Sequence, residues 1–479
     1  MLQELLAQGI SSIDLIDVYL RQIECHNKNG FKLNAIISTA PRRILEERAE
    51  MLDTERANGH IRGPLHGIPI VVKDNIMTDS SLGMDTTCGS YALVGAKAKN
   101  APIISRLLAA GVIILAKANL SEWAGSKGYG IATGWSAIGG QTQTPYVLGG
   151  YVLGDKILGH SAPGGSSSGS AVAVAAGFAP LALGTESDGS ITQPSGRSSL
   201  YGMKVTVGAL STQGTSPQSP LTDSLGGMAK TSQDLADLIG AMMETSYSAF
   251  LTGSWEGQKV AFVEPEAWEL HPALREMKDV AKKIQAQQAA VTEGVVLLQA
   301  DEISHNGKDA LELVWNFDLA GGIDSFLGEY TESEVRTAEQ LIQWNKEHMD
   351  LELPPEFPAQ QQLENTVKCK LTQEERDAIA EFIRHKARNA FDRILGEGKA
   401  TVLMGPLDGR IVTIAAAAGY PAGVVPLGYA DNFNGRAYGM VIVAKAGGEG
   451  DILRAMSAWE SNAIGKRVAP PLLANKAEL

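Results

Sequence analysis

Two spacings of apolar residues divide the chain into predicted helices and strands. After Ser11, which begins a capping-box pattern with Asp14, apolar residues recur at helical spacing as far as Ile23 and predict a helix there. A second, charged helix is predicted over about 41–57, and the Gly-Pro pair at 63–64 ends that pattern.

Short apolar runs bounded by glycine predict buried strands between further helices. Residues 68–72 form one such run, and a helix over 102–110 leads into another run at 112–115. A helix over 171–176 then precedes a short strand at 181–184. This alternation predicts an α/β protein, and the 52 glycines agree with a fold rich in tight turns.

The pattern changes after about residue 253. Lysine and glutamate become frequent, with long helical patterns over 274–291 and 372–395. From about residue 400 the small, apolar, glycine-broken pattern returns. We therefore predict a single domain over 1–479, with a catalytic core formed by 60–250 and 400–479 and a charged helical insert over 253–400 that covers it.

Composition and charge disfavour several classes of function. A formal net charge of −13 disfavours nucleic-acid binding, because proteins that contact phosphate usually present a basic face. No uninterrupted apolar stretch is long enough to cross a membrane. The three scattered cysteines include no CxxC pair, which favours a reducing, cytoplasmic location over a zinc site or a disulfide scaffold. We expect no metal and no cofactor.

A lysine and a glycine-bracketed turn are candidates for chemistry. Lys73 ends the predicted strand at 68–72, where desolvation would favour the neutral form that can act as a base. The sequence GTESDGSI at 184–191 follows a strand, so its backbone N–H groups could hold an oxyanion and Ser190 could be a nucleophile. Taken alone, a surface lysine and an ordinary turn explain these segments equally well.

The segment GGSSSGS at 164–170 places four serines among three glycines. It contains the elbow pattern G-x-S-x-G, but no strand is predicted before it, and it lacks the lysine of a phosphate loop. A flexible linker is the alternative on composition alone. Among the histidines, only His66 and His160 lie near these segments, and a structural role is the simpler explanation of each.

Together these segments resemble the amidase signature family. The resemblance is carried by GPLHGIPIVVKDNI at 63–76, GGSSSGSAVAVAAGFAPLALGTESDGSITQP at 164–194 and GYPAGVVPLG at 419–428, and it covers about 1–250 and 400–479. The motifs look closest to those of the peptide-amidase branch. The resemblance implies an α/β/α sandwich with a large mixed central sheet.

The resemblance also implies a Ser–cis-Ser–Lys triad. The nucleophile of the family falls on Ser190, the bridging serine with its cis peptide bond on Ser166, and the lysine on Lys73. The oxyanion would be held by backbone N–H groups of the loop before the nucleophile, at Ser187, Asp188 and Gly189.

Two departures from the family pattern bear on function. Asp188 replaces the first glycine of the common GGS, and an aspartate tolerates left-handed backbone better than most residues. Thr192 replaces the common arginine two residues after the nucleophile, which argues against glutamine hydrolysis for a tRNA amidotransferase. Glu186 in place of the usual aspartate is a conservative structural change.

The implied reaction is hydrolysis of a carboxamide C–N bond through an acyl-enzyme, with release of ammonia or an amine. Small-molecule or peptide amides are the expected substrates. A glutamine-hydrolysing amidotransferase component and a non-catalytic binding protein on the same fold are the alternatives, and a homodimer stays open. The substrate pocket is expected to be lined from 125–160 and 310–350, with the aromatic candidates Tyr129, Trp135, Tyr151 and Trp315.

Overall fold

Helices and strands alternate along most of the chain. The computed structural model describes residues 9–128, 132–147, 149–154, 161–264, 278–298, 300–431, 433–465 and 467–474. The α-helices are α1 (Ser12–His26), α2 (Arg42–Ala57), α3 (Pro102–Ala109), α4 (Ser168–Ala175), α5 (Thr192–Arg197), α6 (Ser232–Met243), α7 (Lys278–Ala286), α8 (Ala310–Gly328), α9 (Ala338–Glu347), α10 (Met349–Glu352), α11 (Gln361–Val367), α12 (Gln373–Asp392), α13 (Ile411–Ala418), α14 (Glu449–Ser461) and α15 (Pro471–Ala474).

The strands form one large sheet and two small hairpins. They are β1 (Ile36–Thr39), β2 (Pro69–Lys73), β3 (Ile113–Ala118), β4 (Trp135–Ser136), β5 (Gly140–Gln141), β6 (Leu181–Glu186), β7 (Tyr201–Lys204), β8 (Ser224–Ala229), β9 (Lys259–Val263), β10 (Ala290–Val295), β11 (Ser304–His305), β12 (Lys308–Asp309), β13 (Val402–Pro406), β14 (Ala422–Tyr429) and β15 (Ala437–Val443).

Eleven strands make the central sheet, in the order β1-β3-β2-β6-β8-β7-β14-β15-β13-β9-β10. The sheet is mixed. Strand β2 runs parallel to both of its neighbours, β3 and β6, and β9 runs parallel to both β13 and β10. The strands between β6 and β13 pair in antiparallel fashion.

Both faces of the sheet are covered. In β9, Val260 and Phe262 belong to one apolar core, whereas Ala261 and Val263 belong to another. Because successive side chains of a strand point to opposite faces, a strand that is buried on both sides is apolar at every position. Helices α1, α2, α3, α6 and α14 contribute to the first core, and α8, α12 and α13 to the second. The fold is therefore the α/β/α sandwich implied by the family resemblance.

Most predicted elements near the motifs are present with small changes at their ends. Ser11 caps α1, and its capping box with Asp14 is complete. Helix α4 begins three residues before the predicted 171–176, and strand β6 extends two residues beyond the predicted 181–184.

The prediction that 253–400 forms a helical insert is wrong in part. Two strands of the central sheet, β9 and β10, come from this segment. The helical pattern over 274–291 also overran, because α7 ends at Ala286 and β10 begins at Ala290. Strand β10 lies at the edge of the sheet with most of its residues exposed, so its polar composition hid it. Among the described helices none is long and apolar enough to cross a membrane.

Candidate active site

Two neighbouring parallel strands bring the candidate residues to one edge of the sheet. Lys73 is the last residue of β2, and the loop that contains Ser190 follows the last residue of β6. The two strands pair in register from Ile70 with Leu181 onward. Because parallel strands end at the same edge, Lys73 and this loop meet where α/β proteins commonly place their ligands.

Lys73 is fully buried and surrounded by hydroxyl groups. Its Nζ donates to Ser166 Oγ at 2.7 Å, to Thr185 Oγ1 at 2.9 Å and to the Thr185 carbonyl at 3.3 Å. Burial lowers the pKa of Lys73 to about 7, although the negative charge of Glu186 raises it in part. A lysine in this state is neutral in a substantial fraction of molecules at neutral pH and can accept a proton.

Ser166 reaches Lys73 from a loop made by two glycines. Gly164 and Gly165 have φ values of 80° and 54°, in the left-handed region that glycine tolerates. The expected cis peptide bond at Ser166 is wrong, because no described peptide bond is cis. The two left-handed glycines turn the chain with trans bonds, which are the preferred form of a peptide that does not precede proline.

The other serines of this segment hold it against β6 and the next loop. Ser167 Oγ donates to the Thr185 carbonyl at 3.1 Å, and Ser170 Oγ donates to the Leu183 carbonyl at 3.2 Å. The backbone N–H of Ser167 donates to the carbonyl of Ser190 at 2.9 Å. The serine-rich stretch is therefore an ordered wall of the site and no flexible linker.

Glu186 fixes the loop that contains Ser190. Its carboxylate accepts from the backbone N–H of Ile191 at 2.6 Å and from that of Thr192 at 2.8 Å, at the start of α5. The Thr192 hydroxyl also donates to Glu186, at 3.1 Å. Thr192, which stands in the place of the common arginine, is buried and belongs to this structural contact.

The loop presents a row of backbone donors. Among the described residues, none accepts a hydrogen bond from the N–H groups of Ser187, Asp188, Gly189 or Ser190. The side chains of two of these residues are held: Ser187 Oγ donates to Asp223, and Asp188 accepts from Thr413 Oγ1 at 2.8 Å. Consecutive backbone donors of this kind can bind an anionic oxygen.

Ser166 and Ser190 open into the same cavity, whose volume is about 450 Å³. Between their two hydroxyl groups the described part of the chain has no hydrogen bond. Trp315 and Leu311 of α8 give the cavity an apolar wall, and Gln218 and Gln362 add amide groups. A cavity of this size fits a small acyl group or a short peptide end.

The other candidates lie elsewhere or outside the described residues. His66 is buried and its Nε2 contacts the Leu52 carbonyl at 2.9 Å, which agrees with a structural role. Trp135 and Tyr151 pack with Phe357 in a separate apolar cluster, so of the aromatic candidates Trp315 is the one that lines the cavity. His160 and Tyr129 lie outside the described residues.

Three site residues escaped sequence reasoning. Thr185 contacts Lys73, Asp223 holds Ser187, and Thr413 holds Asp188. Thr185 was within reach, since it lies in the GTESDGSI motif one residue before Glu186. Asp223 and Thr413 carry no local signal, because their partners are 36 and 225 residues away in the chain.

Comparisons with known proteins agree with this arrangement. The pattern that defines the amidase family matches residues 14–409. This chain belongs to the amidase signature family. An amidase-family protein of Schizosaccharomyces pombe is 31% identical to it, over 96% of this chain and 84% of that protein.

A solved structure places this amidase near one subgroup of the family. Native peptide amidase from Stenotrophomonas maltophilia is 30% identical, with a TM-score of 0.86 over 98% of this chain and 97% of that one. A glutamyl-tRNA(Gln) amidotransferase protein of Symbiobacterium thermophilum is 41% identical, but only over 43% of this chain and 39% of that protein. The chain is therefore an amide-hydrolysing enzyme of the amidase family.

Proposed function

We propose that this amidase hydrolyses carboxamides through an acyl-enzyme on Ser190, with Ser166 and Lys73 as a proton relay. The observation that carries the proposal is the 2.7 Å hydrogen bond between Lys73 Nζ and Ser166 Oγ at the wall of the cavity that Ser190 also lines. A lysine whose pKa lies near 7 can take the proton that Ser166 passes on from Ser190.

The proposed steps balance without a metal or cofactor. Ser190 Oγ attacks the amide carbonyl carbon and gives its proton to Ser166, whose own proton goes to Lys73. The carbonyl oxygen becomes an oxyanion, which the N–H groups of Ser187, Asp188 and Gly189 stabilise. The C–N bond breaks as Ser166 returns a proton to the leaving nitrogen, and a water molecule repeats the sequence on the ester. Independence from metal and cofactor stays a prediction.

Peptide amides and small-molecule amides are the substrates that the site favours. Thr192 turns to Glu186, so the position of the common arginine offers no cation to a substrate carboxylate. Glutamine hydrolysis within an amidotransferase is the second candidate, since relatives with that name match part of the chain. An enzyme of that kind works with partner chains, so this function predicts little activity of the isolated chain on small amides.

Covalent labelling tests the proposed nucleophile. A fluorophosphonate probe should modify Ser190, and the Ser190→Ala variant should take up no probe and hydrolyse no amide. Mass spectrometry of the labelled peptide identifies the modified residue, and a panel of amides with and without a free carboxylate reports substrate class. An adduct on Ser166 or Ser167 alone would overturn the assignment of the nucleophile.

A further inference from the structure

The family-like loop of this chain carries an unusual side chain. Asp188 lies two residues before Ser190, at a position where relatives commonly carry glycine, and its side chain lines the cavity. A carboxylate there is unfavourable for the reaction, because it stands next to the place where a negative oxyanion forms. Its side chain therefore needs a fixed position.

Helix α13 supplies that position. Thr413, in the first turn of α13, donates from Oγ1 to Asp188 Oδ2 at 2.8 Å and lies 3.1 Å from Oδ1. Thr413 also lines the cavity, and Arg410 precedes the helix at the same side. Burial raises the pKa of Asp188 to about 6, while the Thr413 hydrogen bond lowers it, so the group is mostly an ionised acceptor at pH 8.

The hydrogen bond joins two distant parts of the chain. The loop follows β6 of the first half of the sheet, whereas α13 lies between β13 and β14 of the second half. On its other side, Ser187 is held by Asp223, whose second oxygen accepts from the backbone N–H groups of Gln218 and Ser219. The donors of the loop are thus held from both flanks.

We infer that the Thr413–Asp188 hydrogen bond positions the oxyanion-binding N–H groups, which makes both residues positioning residues for the reaction at Ser190. This inference rests on the proposed function, because it requires Ser190 to be the nucleophile. The bond compensates for the side chain that replaces glycine: it fixes the carboxylate on α13 and fixes the backbone of the loop with it.

A double-mutant cycle tests the inference. The rate of phosphonylation of Ser190 by a fluorophosphonate is measured at pH 8, together with kcat and KM for the best amide, in Thr413→Val, Asp188→Ala and the double variant. Each single variant should lose about tenfold in phosphonylation rate and kcat with little change in KM, since a displaced oxyanion donor costs rate rather than binding. The double variant should lose no more than either single one.

Two further variants separate positioning from general damage. Thr413→Ser keeps the hydroxyl and should restore most of the rate. Thr206→Val is the matched control: it breaks a threonine–carboxylate hydrogen bond of 2.7 Å, to Glu449, at a site that does not line the cavity, and it should leave the rate unchanged.

The outcomes distinguish the two proposals. A wild-type chain that is not labelled on Ser190 overturns the proposed function and this inference with it. Normal labelling of the wild type together with an unchanged Thr413→Val rate overturns the inference alone, as do single losses that multiply in the double variant.

Discussion

At the scale of the residue, Lys73 is held at a cost to stability. Each of its hydrogen-bond partners is a neutral oxygen, from Ser166 or Thr185. The lysine therefore loses its hydration without gaining a counter-ion in direct contact, which is the cause of its lowered pKa. Such a group contributes to catalysis while it destabilises the folded chain.

Lys73→Met should abolish amide hydrolysis and raise the stability of the fold. The unfolded chain holds the lysine proton up to a pH of about 10.4, whereas the folded chain releases it near pH 7, so folding below pH 7 carries the full cost of a buried charge. The gain in the free energy of unfolding should be on the order of a few kcal/mol below pH 7 and should shrink as the pH rises toward 10.

Chemical denaturation of both proteins at a series of pH values between 6 and 9.5 measures this gain. A gain that stays constant over the series would show that the lysine titrates alike in the folded and unfolded chains. An active Lys73→Met variant would remove Lys73 from the relay and return attention to His66 and His160.

At the scale of the element, the two glycine-containing loops fit together closely. A Cβ on Gly165 would lie 2.8 Å from the carbonyl oxygen of Gly189, which is below any normal contact distance. Gly165 also has a left-handed φ of 54°. The Ser166 loop and the Ser190 loop approach each other only because this position has no side chain.

Gly165→Ala should lower kcat at least tenfold and destabilise the chain by about 1–3 kcal/mol, through left-handed strain and the forced separation of the loops. Gly177→Ala is the control: Gly177 has a φ of 74° but only a lysine tip within 4 Å, at 3.9 Å. The control should show the strain cost with unchanged activity. Equal activity in the two variants, measured beside their thermal unfolding, would contradict the close approach.

The elements around the motifs were more predictable than those between 253 and 400. A glycine-bounded apolar run such as 68–72 has one explanation, a buried strand, and the long motif fixed the order of the site residues. Strand β10 has an exposed, polar edge, and nothing in its composition separates it from the helix before it. The contacts of Asp188 and Asp223 depend on tertiary packing, and a single sequence gives no pairing between such distant residues.

At the scale of the whole molecule, the middle segment is tied to the rest by a buried ion pair. Arg376 of α12 donates to Asp318 of α8 at 2.6 and 2.8 Å. Asp318 also accepts from the hydroxyl of Ser219, in the segment that leads to Asp223 and the cavity. The pair joins two helices of the middle segment to the cavity wall.

Arg376→Gln should destabilise the chain by about 2–4 kcal/mol, because it leaves the mostly buried Asp318 carboxylate without its cation. Arg43→Gln is the matched control, since Arg43 pairs with Glu47 on an exposed helical surface and should change stability by less than about 0.5 kcal/mol. Urea unfolding of both variants measures the difference. Similar small losses would mean that the Asp318 pair is as solvated as the surface pair.

The order of strands in the sheet also sets the order in which a growing chain can complete it. The first six sheet strands, from residues 36 to 229, are neighbours of one another, whereas β9 and β10 join the sheet only through β13, and β13 joins it through β15. At ordinary rates of translation, β9 and β10 leave the ribosome about 7 to 30 s before β15. The nascent chain can thus assemble Lys73, Ser166 and Ser190 on a finished half-sheet, while a strand pair waits unpaired for the final stretch that also delivers Thr413.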